Sequence, residues 1–149
     1  LSGPAYDRIE KSYIEDFIAQ HEVKTVTLTG KHPFEEMPAY FKQADAMLLT
    51  LRAEFPHLRA VVPARLQSYM SAGKPVLGMI DGGSVRIINR SKCGICAAAA
   101  DYEVLAANVV YAYEHQDELI TMGTNGRTYY ESHFTLQGCL DNLEKIICQ

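Results

Sequence analysis

Arg65 and Ser68 sit close together in the stretch PARLQSYMSAGKPV, residues 63–76. On a helix their i, i+3 spacing puts both side chains on one side. Leu66, Tyr69 and Met70 recur at i, i+3, i+4 and give a separate apolar stripe. Arg65 falls in the first turn, where several backbone N–H groups have no intrahelical partner. Val62, just ahead of the proline, offers no oxygen to cap them. Unpaired amides, the positive end of a helix dipole and a guanidinium together suit an anion. The competing reading is an ordinary surface helix carrying a solvated arginine. Pro63 fits the first helical position, Gly73 a left-handed C-terminal residue, and Pro75 blocks any continuation.

The cysteines are weaker candidates. There are four, Cys93, Cys96, Cys139 and Cys148. Cys93 and Cys96 form a CxxC, but a zinc site wants a second pair at similar spacing, and Cys139 and Cys148 lie on the closing helix. A thioredoxin-like pair should open a helix after a strand, whereas this one leads from a loop into a strand. Buried, reduced thiols fit better, and they suit a reducing cytoplasm.

At 149 residues the chain has the length of one domain. The hydrophobic fraction of 48% is enough for a core, and a net charge of −4 gives no electrostatic case for nucleic acid or an anionic membrane. No run approaches the roughly 18 apolar residues that span a bilayer. The first residue is Leu1, which predicts an excised segment of a longer protein; an anchor would then lie outside it.

The elements that must position Arg65 alternate along the chain. The pattern predicts a helix over 4–20, a strand over 23–28, a helix over 34–44 with Pro38 near its true start, and a strand over 46–50. An irregular stretch of about a dozen residues follows, carrying Arg52, Glu54, His57 and Arg59, each read as solvated. The Pro63 helix leads into a strand over 76–80 and a glycine turn at 81–84. A short helix over 85–89, a strand over 94–97 and a helix from Asp101 to about His115 come next, with Val104, Leu105, Val109 and Val110 facing inward. Residues 116–122 read as a turn or two, 125–131 as a polar helix, and 135–147 as an amphipathic helix. Short apolar strands separated by helices imply a parallel sheet covered on both faces, a Rossmann-like, doubly wound α/β fold. Ligands of such sheets bind at the carboxyl ends of the strands. Gly30 to His32, the 51–62 loop, the start of the Pro63 helix and the 81–84 turn all belong to that edge. No GxGxxG, Walker lysine motif or GxSxG elbow is present, which disfavours nicotinamide dehydrogenases, P-loop enzymes and α/β-hydrolases.

Nearly the whole chain resembles the C-terminal, donor-binding domain of GT-B glycosyltransferases, close to the retaining family-4 group. The resembling pieces are Val26-Thr27-Leu28-Thr29-Gly30-Lys31-His32, Met37 to Leu49, Pro63 to Val76, Cys93-Gly94-Ile95, Asp101 to Ala106, and Met122-Gly123-Thr124-Asn125-Gly126-Arg127 with Phe134. They occur in the family's order. The resemblance implies one Rossmann-like domain over 1–149, with 125–149 as closing helices and the N-terminal acceptor domain absent. It implies transfer of a sugar from a nucleotide diphosphate such as UDP to an acceptor hydroxyl, in polysaccharide or glycoconjugate synthesis, in the cytoplasm and without a metal or other cofactor. The fragment alone would be inactive. Gly30, Lys31 and His32 would frame the base; Arg65, with the amides of Arg65 and Leu66, would face the diphosphate; Gly82 and Gly83 would lie near the sugar and phosphate. The family's Glu-x7-Glu is replaced by Ala60 and Ser68, with Glu54 as a candidate sugar contact and Ser68 left to meet the ribose. No catalytic side chain is assigned within this domain. Two other readings stand beside this one: a glycosyltransferase-like scaffold without catalysis, and an unrelated doubly wound ligand-binding domain.

Overall fold

The computed structural model describes residues 8–51 and 59–148. The chain divides into two compact units, Leu1–Tyr40 and Phe41–Gln149. In the first unit, α1 spans Arg8–Gln20. A 3-10 turn, Phe34–Glu36, starts behind Pro33 and runs into α2, Met37–Gln43, which straddles the boundary between the units. Residues 23–29 form no strand, against the expectation from sequence, and only Gly30 takes a bridge. Val23, Val26 and Leu28 are half-buried and their neighbours exposed, so the segment lacks the two-sided cover that a parallel strand needs.

The second unit holds a three-stranded parallel sheet whose spatial order follows the chain. β1 (Met47–Thr50) pairs with β2 (Val76–Met79), and β2 with β3 (Gly94–Ala97). The register sets Leu48, Leu77 and Ile95 side by side, and Leu49, Gly78 and Cys96 side by side. Successive side chains point to opposite faces, so the sheet has two cores. On one face Leu49, Val76 and Ile80 meet Leu66 and Met70 of α3 (Ala64–Ser71) and Ile88 of α4 (Gly83–Ser91), all fully buried. Phe41 adds an edge-to-face contact with Tyr69, ring centroids 5.6 Å apart. On the other face Leu77 and Ile95 meet Leu105 and Ala112 of α5 (Tyr102–Glu114). Each fully buried aliphatic side chain contributes roughly 1.5–3 kcal/mol. The crossovers β1–α3–β2 and β2–α4–β3 leave α3 and α4 on one face, and the chain after β3 changes face. This is the doubly wound arrangement expected from sequence.

α6 (Gln116–His133) joins the two cores. Leu119 and Met122 pack on the α5 side, Tyr129 and Tyr130 on the side of α3 and α4. Sequence predicted two separate pieces here, 116–122 and 125–131, split around Gly123. Gly123 and Gly126 are both buried inside one continuous helix, because they serve close approach and do not break the chain. α4 likewise starts earlier than expected, at Gly83, because Gly82 takes the non-helical cap conformation. Pro63 is the residue before α3 and not its first helical one.

α5 corrects another expectation. Val104, Val109 and Val110 are 43%, 48% and 56% exposed. The stripe that meets the sheet runs through Asp101, Leu105, Asn108, Ala112 and His115. Apolar residues surround this helix, so composition hides which stripe faces inward. Asp101 caps it as expected, its carboxylate accepting from the Val104 amide at 3.1 Å. α7 (Leu136–Ile147) is capped by Thr135, and its stripe of Leu136, Leu140, Leu143, Ile146 and Ile147 lies exposed. No helix of the described residues is long and apolar enough to cross a membrane.

Candidate functional site

In a parallel sheet every chain segment leaving a strand emerges at the carboxyl edge. The N-terminal ends of α3 and α4 therefore share one rim, following β1 and β2. Side chains and backbone link the two ends. The Ser84 hydroxyl, on a fully buried residue, donates to the Val61 carbonyl at 3.4 Å, and Val62 reaches toward Gly83.

Gly82 is what allows this closeness. Its φ of 81° lies where side chains are strained, and a β-carbon there would overlap the Arg59 carbonyl. Gly82 offers no side-chain cap to the first amides of α4, and Gly83 and Ser84 are buried beneath the segment before α3. Arg86, one turn on, folds back so that its guanidinium lies beside Gly83.

Arg65 is exposed, and no ion pair to it exists among the described residues. Its guanidinium lies by the Tyr69 hydroxyl one turn later. Burial pushes the Tyr69 phenol above its ordinary value, and the charge and hydrogen bond of Arg65 pull part of that back. Tyr69 is 8% exposed and fixed in the core, so it anchors the flexible arginine at the rim. The Leu66 side chain is core, and its amide already donates to the Pro63 carbonyl at 3.0 Å. An anion would therefore meet the Ala64 and Arg65 amides sooner than that of Leu66. Ser68 donates its hydroxyl to the Ala64 carbonyl at 3.2 Å, and only its lone pairs are left to face outward.

Gly30, Lys31 and His32 belong to the first unit. Gly30 has a φ of 78° with open space around its α-carbon, and Lys31 is exposed. The His32 ring packs at a tilt against Tyr40 with centroids 4.2 Å apart, and its Nδ1 lies 2.9 Å from the Tyr40 hydroxyl. Glu54 lies outside the described residues, as do Arg52 and His57.

Two rim residues escaped the sequence reading. Asp81, read only as a turn, accepts from Arg59 Nη2 at 3.3 Å and from the Ala99 amide at 3.2 Å. It thus ties the segment before α3 to the turns after β2 and β3. Arg59, read as solvated, is its partner. An aspartate directly after a predicted strand, at the carboxyl edge of the sheet, was the signal available. All four thiols are free, but only Cys93 is buried and Cys96 half-buried; Cys139 and Cys148 are exposed, against the expectation of buried thiols. Burial pushes Cys96 from 9.0 up to about 11, with Cys93 adding to the shift. Among the described residues no three His, Cys, Asp or Glu side chains converge as metal ligands. A surface concavity lined by Lys92, Asp117, Glu118 and Asn125 lies at the amino edge of the sheet, away from the rim.

Two helix starts and the exposed Arg65 thus share the carboxyl rim of the parallel sheet, the edge where ligands of α/β sheets bind. Residues 3–115 match the family model of the glycosyl transferases group 1, and the chain belongs to that family. It is also 21% identical over 133 residues to an uncharacterized glycosyltransferase of Methanocaldococcus jannaschii, covering 89% of this chain. The chain spans 36% of that relative's length. No solved structure matches it at comparable significance.

Proposed function

We propose that this chain is the donor-binding, C-terminal half of a retaining, GT-B-type glycosyltransferase, moving a sugar from a nucleotide-diphosphate sugar to an acceptor hydroxyl. Family membership supports glycosyl transfer in general. The observation that carries the donor reading is Arg65: an exposed guanidinium with no carboxylate partner among the described residues, held beside Tyr69 in the first turn of α3. As the bond to the sugar breaks, negative charge develops on the leaving diphosphate. A fixed cation and oriented amides stabilise that charge without reorganising. The Arg65 and Ala64 amides, Arg86 and the turn at Gly82 and Gly83 are the groups this reading places against the diphosphate. Gly30, Lys31 and His32 frame the base, Ser68 meets the ribose through its lone pairs, and Glu54 is the candidate sugar contact. UDP is the first nucleotide to test, and polysaccharide or glycoconjugate synthesis in the cytoplasm is the setting this reading favours. An acceptor-binding domain is the partner it calls for.

Saturation-transfer NMR with UDP, GDP and ADP tests the reading. Contact from at least one nucleotide is expected, weakened about tenfold by Arg65→Ala, the loss of one charge-assisted contact. No contact from any of the three would overturn it. A second reading, a scaffold domain without catalysis, is favoured by Ser68, whose hydroxyl donates within its own helix where the family carries a charged glutamate. Turnover of radiolabelled sugar nucleotides by the full-length protein, lost on Arg65→Ala, would exclude that alternative.

A further inference from the structure

The ends of α3 and α4 opposite the rim are held by one helix. α3 stops at Ala72, and its Ser71 carbonyl accepts from Arg127 Nη1 of α6. α4 stops at Lys92, in left-handed conformation with φ 54°, and its carbonyl accepts from Asn125 Nδ2 of α6 at 3.3 Å. Both acceptors belong to the C-terminal carbonyls that a helix leaves unpaired. The positive charge of Arg127 also faces the negative end of the α3 dipole. Glu131 fixes the same guanidinium by accepting from its Nε at 2.6 Å. The backbone is equally close: Gly123 lies against the Gly73 carbonyl, and Gly126 against Cys93 and Met70.

From this geometry we infer that Arg127 and Asn125 are positioning residues for the anion site at the far rim. The inference rests on the donor-site reading above. α3 and α4 are short, with α3 only about 12 Å long at 1.5 Å per residue. A short rigid helix carries a displacement at one end to the other. By gripping both C-terminal ends, α6 sets the spacing between Arg65 and the Gly82–Gly83 turn, although it touches neither. Gly123, Asn125, Gly126 and Arg127 then each have a physical reason. The two glycines admit the helix, and the asparagine and arginine reach the two carbonyls.

The test compares the wild-type protein with Arg127→Ala, Arg127→Lys and Leu119→Ala. Leu119 is buried in the core on the α5 side and serves as a destabilising control. UDP affinity is read by NMR titration, thermal midpoint by circular dichroism, and amide exchange in the first turns of α3 and α4 by mass spectrometry. Arg127→Ala should weaken UDP about tenfold, as small misplacements of binding groups do, and speed exchange in both first turns. Arg127→Lys should restore most of the affinity. Leu119→Ala should lower the midpoint at least as far yet leave affinity and first-turn exchange as in wild type. Unchanged affinity in Arg127→Ala, or equal weakening in Leu119→Ala, overturns the positioning role while the donor site stands. A wild-type protein that binds no nucleotide overturns the donor site and the positioning role together.

Discussion

Gly123→Ala tests how closely α6 is pressed to α3. In a solvated helix this change stabilises by about 1 kcal/mol, because alanine is the better helix former. Here a β-carbon would overlap the Gly73 carbonyl and touch Pro75 Cδ at 3.4 Å. The carbonyl cannot retreat easily. Its residue is pinned in the turn that ends α3, where the Gly73 amide donates to Met70 and the Lys74 amide to Tyr69, both at 3.0 Å. α6 must therefore withdraw by about 1 Å, in an interior packed as densely as a crystal. Overpacking of this kind costs about 1–3 kcal/mol and often more against backbone. The withdrawal also stretches the Asn125 and Arg127 hydrogen bonds, each worth about 1 kcal/mol or more. Set against the propensity gain, the net loss is about 2 kcal/mol. For a protein of this size that lowers the melting midpoint by about 4–8 °C. Circular dichroism or calorimetry reads it directly. A midpoint equal to or above wild type would refute the close-approach argument, because intrinsic propensity would then have won.

Other expectations follow from the same contacts. Cys139 and Cys148 are exposed and should react with a thiol reagent within minutes at pH 8, whereas Cys93 and Cys96 should react only on unfolding. The raised Cys96 value adds a pH dependence: the folded state keeps the proton that the unfolded state loses. Stability is therefore full below 9.0 and falls as pH rises toward about 11, which denaturant midpoints between pH 8 and 11 would show. Asp101→Ala removes the carboxylate that accepts from the Val104 amide and should cost about 1 kcal/mol in urea unfolding, with Asp101→Asn losing far less.

The second unit was largely legible in the sequence. Runs such as Met47–Thr50 and Gly94–Ala97 are continuous, apolar and bounded by turn residues, and such runs become strands buried on both faces. Asp101 and Gly73 were legible because caps depend on local chemistry alone. What failed depended on partners that sequence does not display. Residues 23–28 carry β-branched side chains but lack two-sided cover, and they form no strand. Gly123 looks like a helix breaker until the backbone it approaches is known. At the candidate site, Arg65 was readable from helix position, and its anchoring by Tyr69 follows from i, i+4 spacing. The ties of Asp81 to Arg59 and Ala99 join segments distant in sequence, and no local pattern announces them.

The clamp by α6 also orders events during synthesis. The strands pair in the sequence in which they leave the ribosome, so each crossover can close as soon as its second strand is out. Asn125 and Arg127 emerge after all three strands and both clamped helices. A nascent chain halted near residue 115 would hold its sheet while α3 and α4 still slid past each other. The anion site proposed for the rim would then take shape only once α6 has docked.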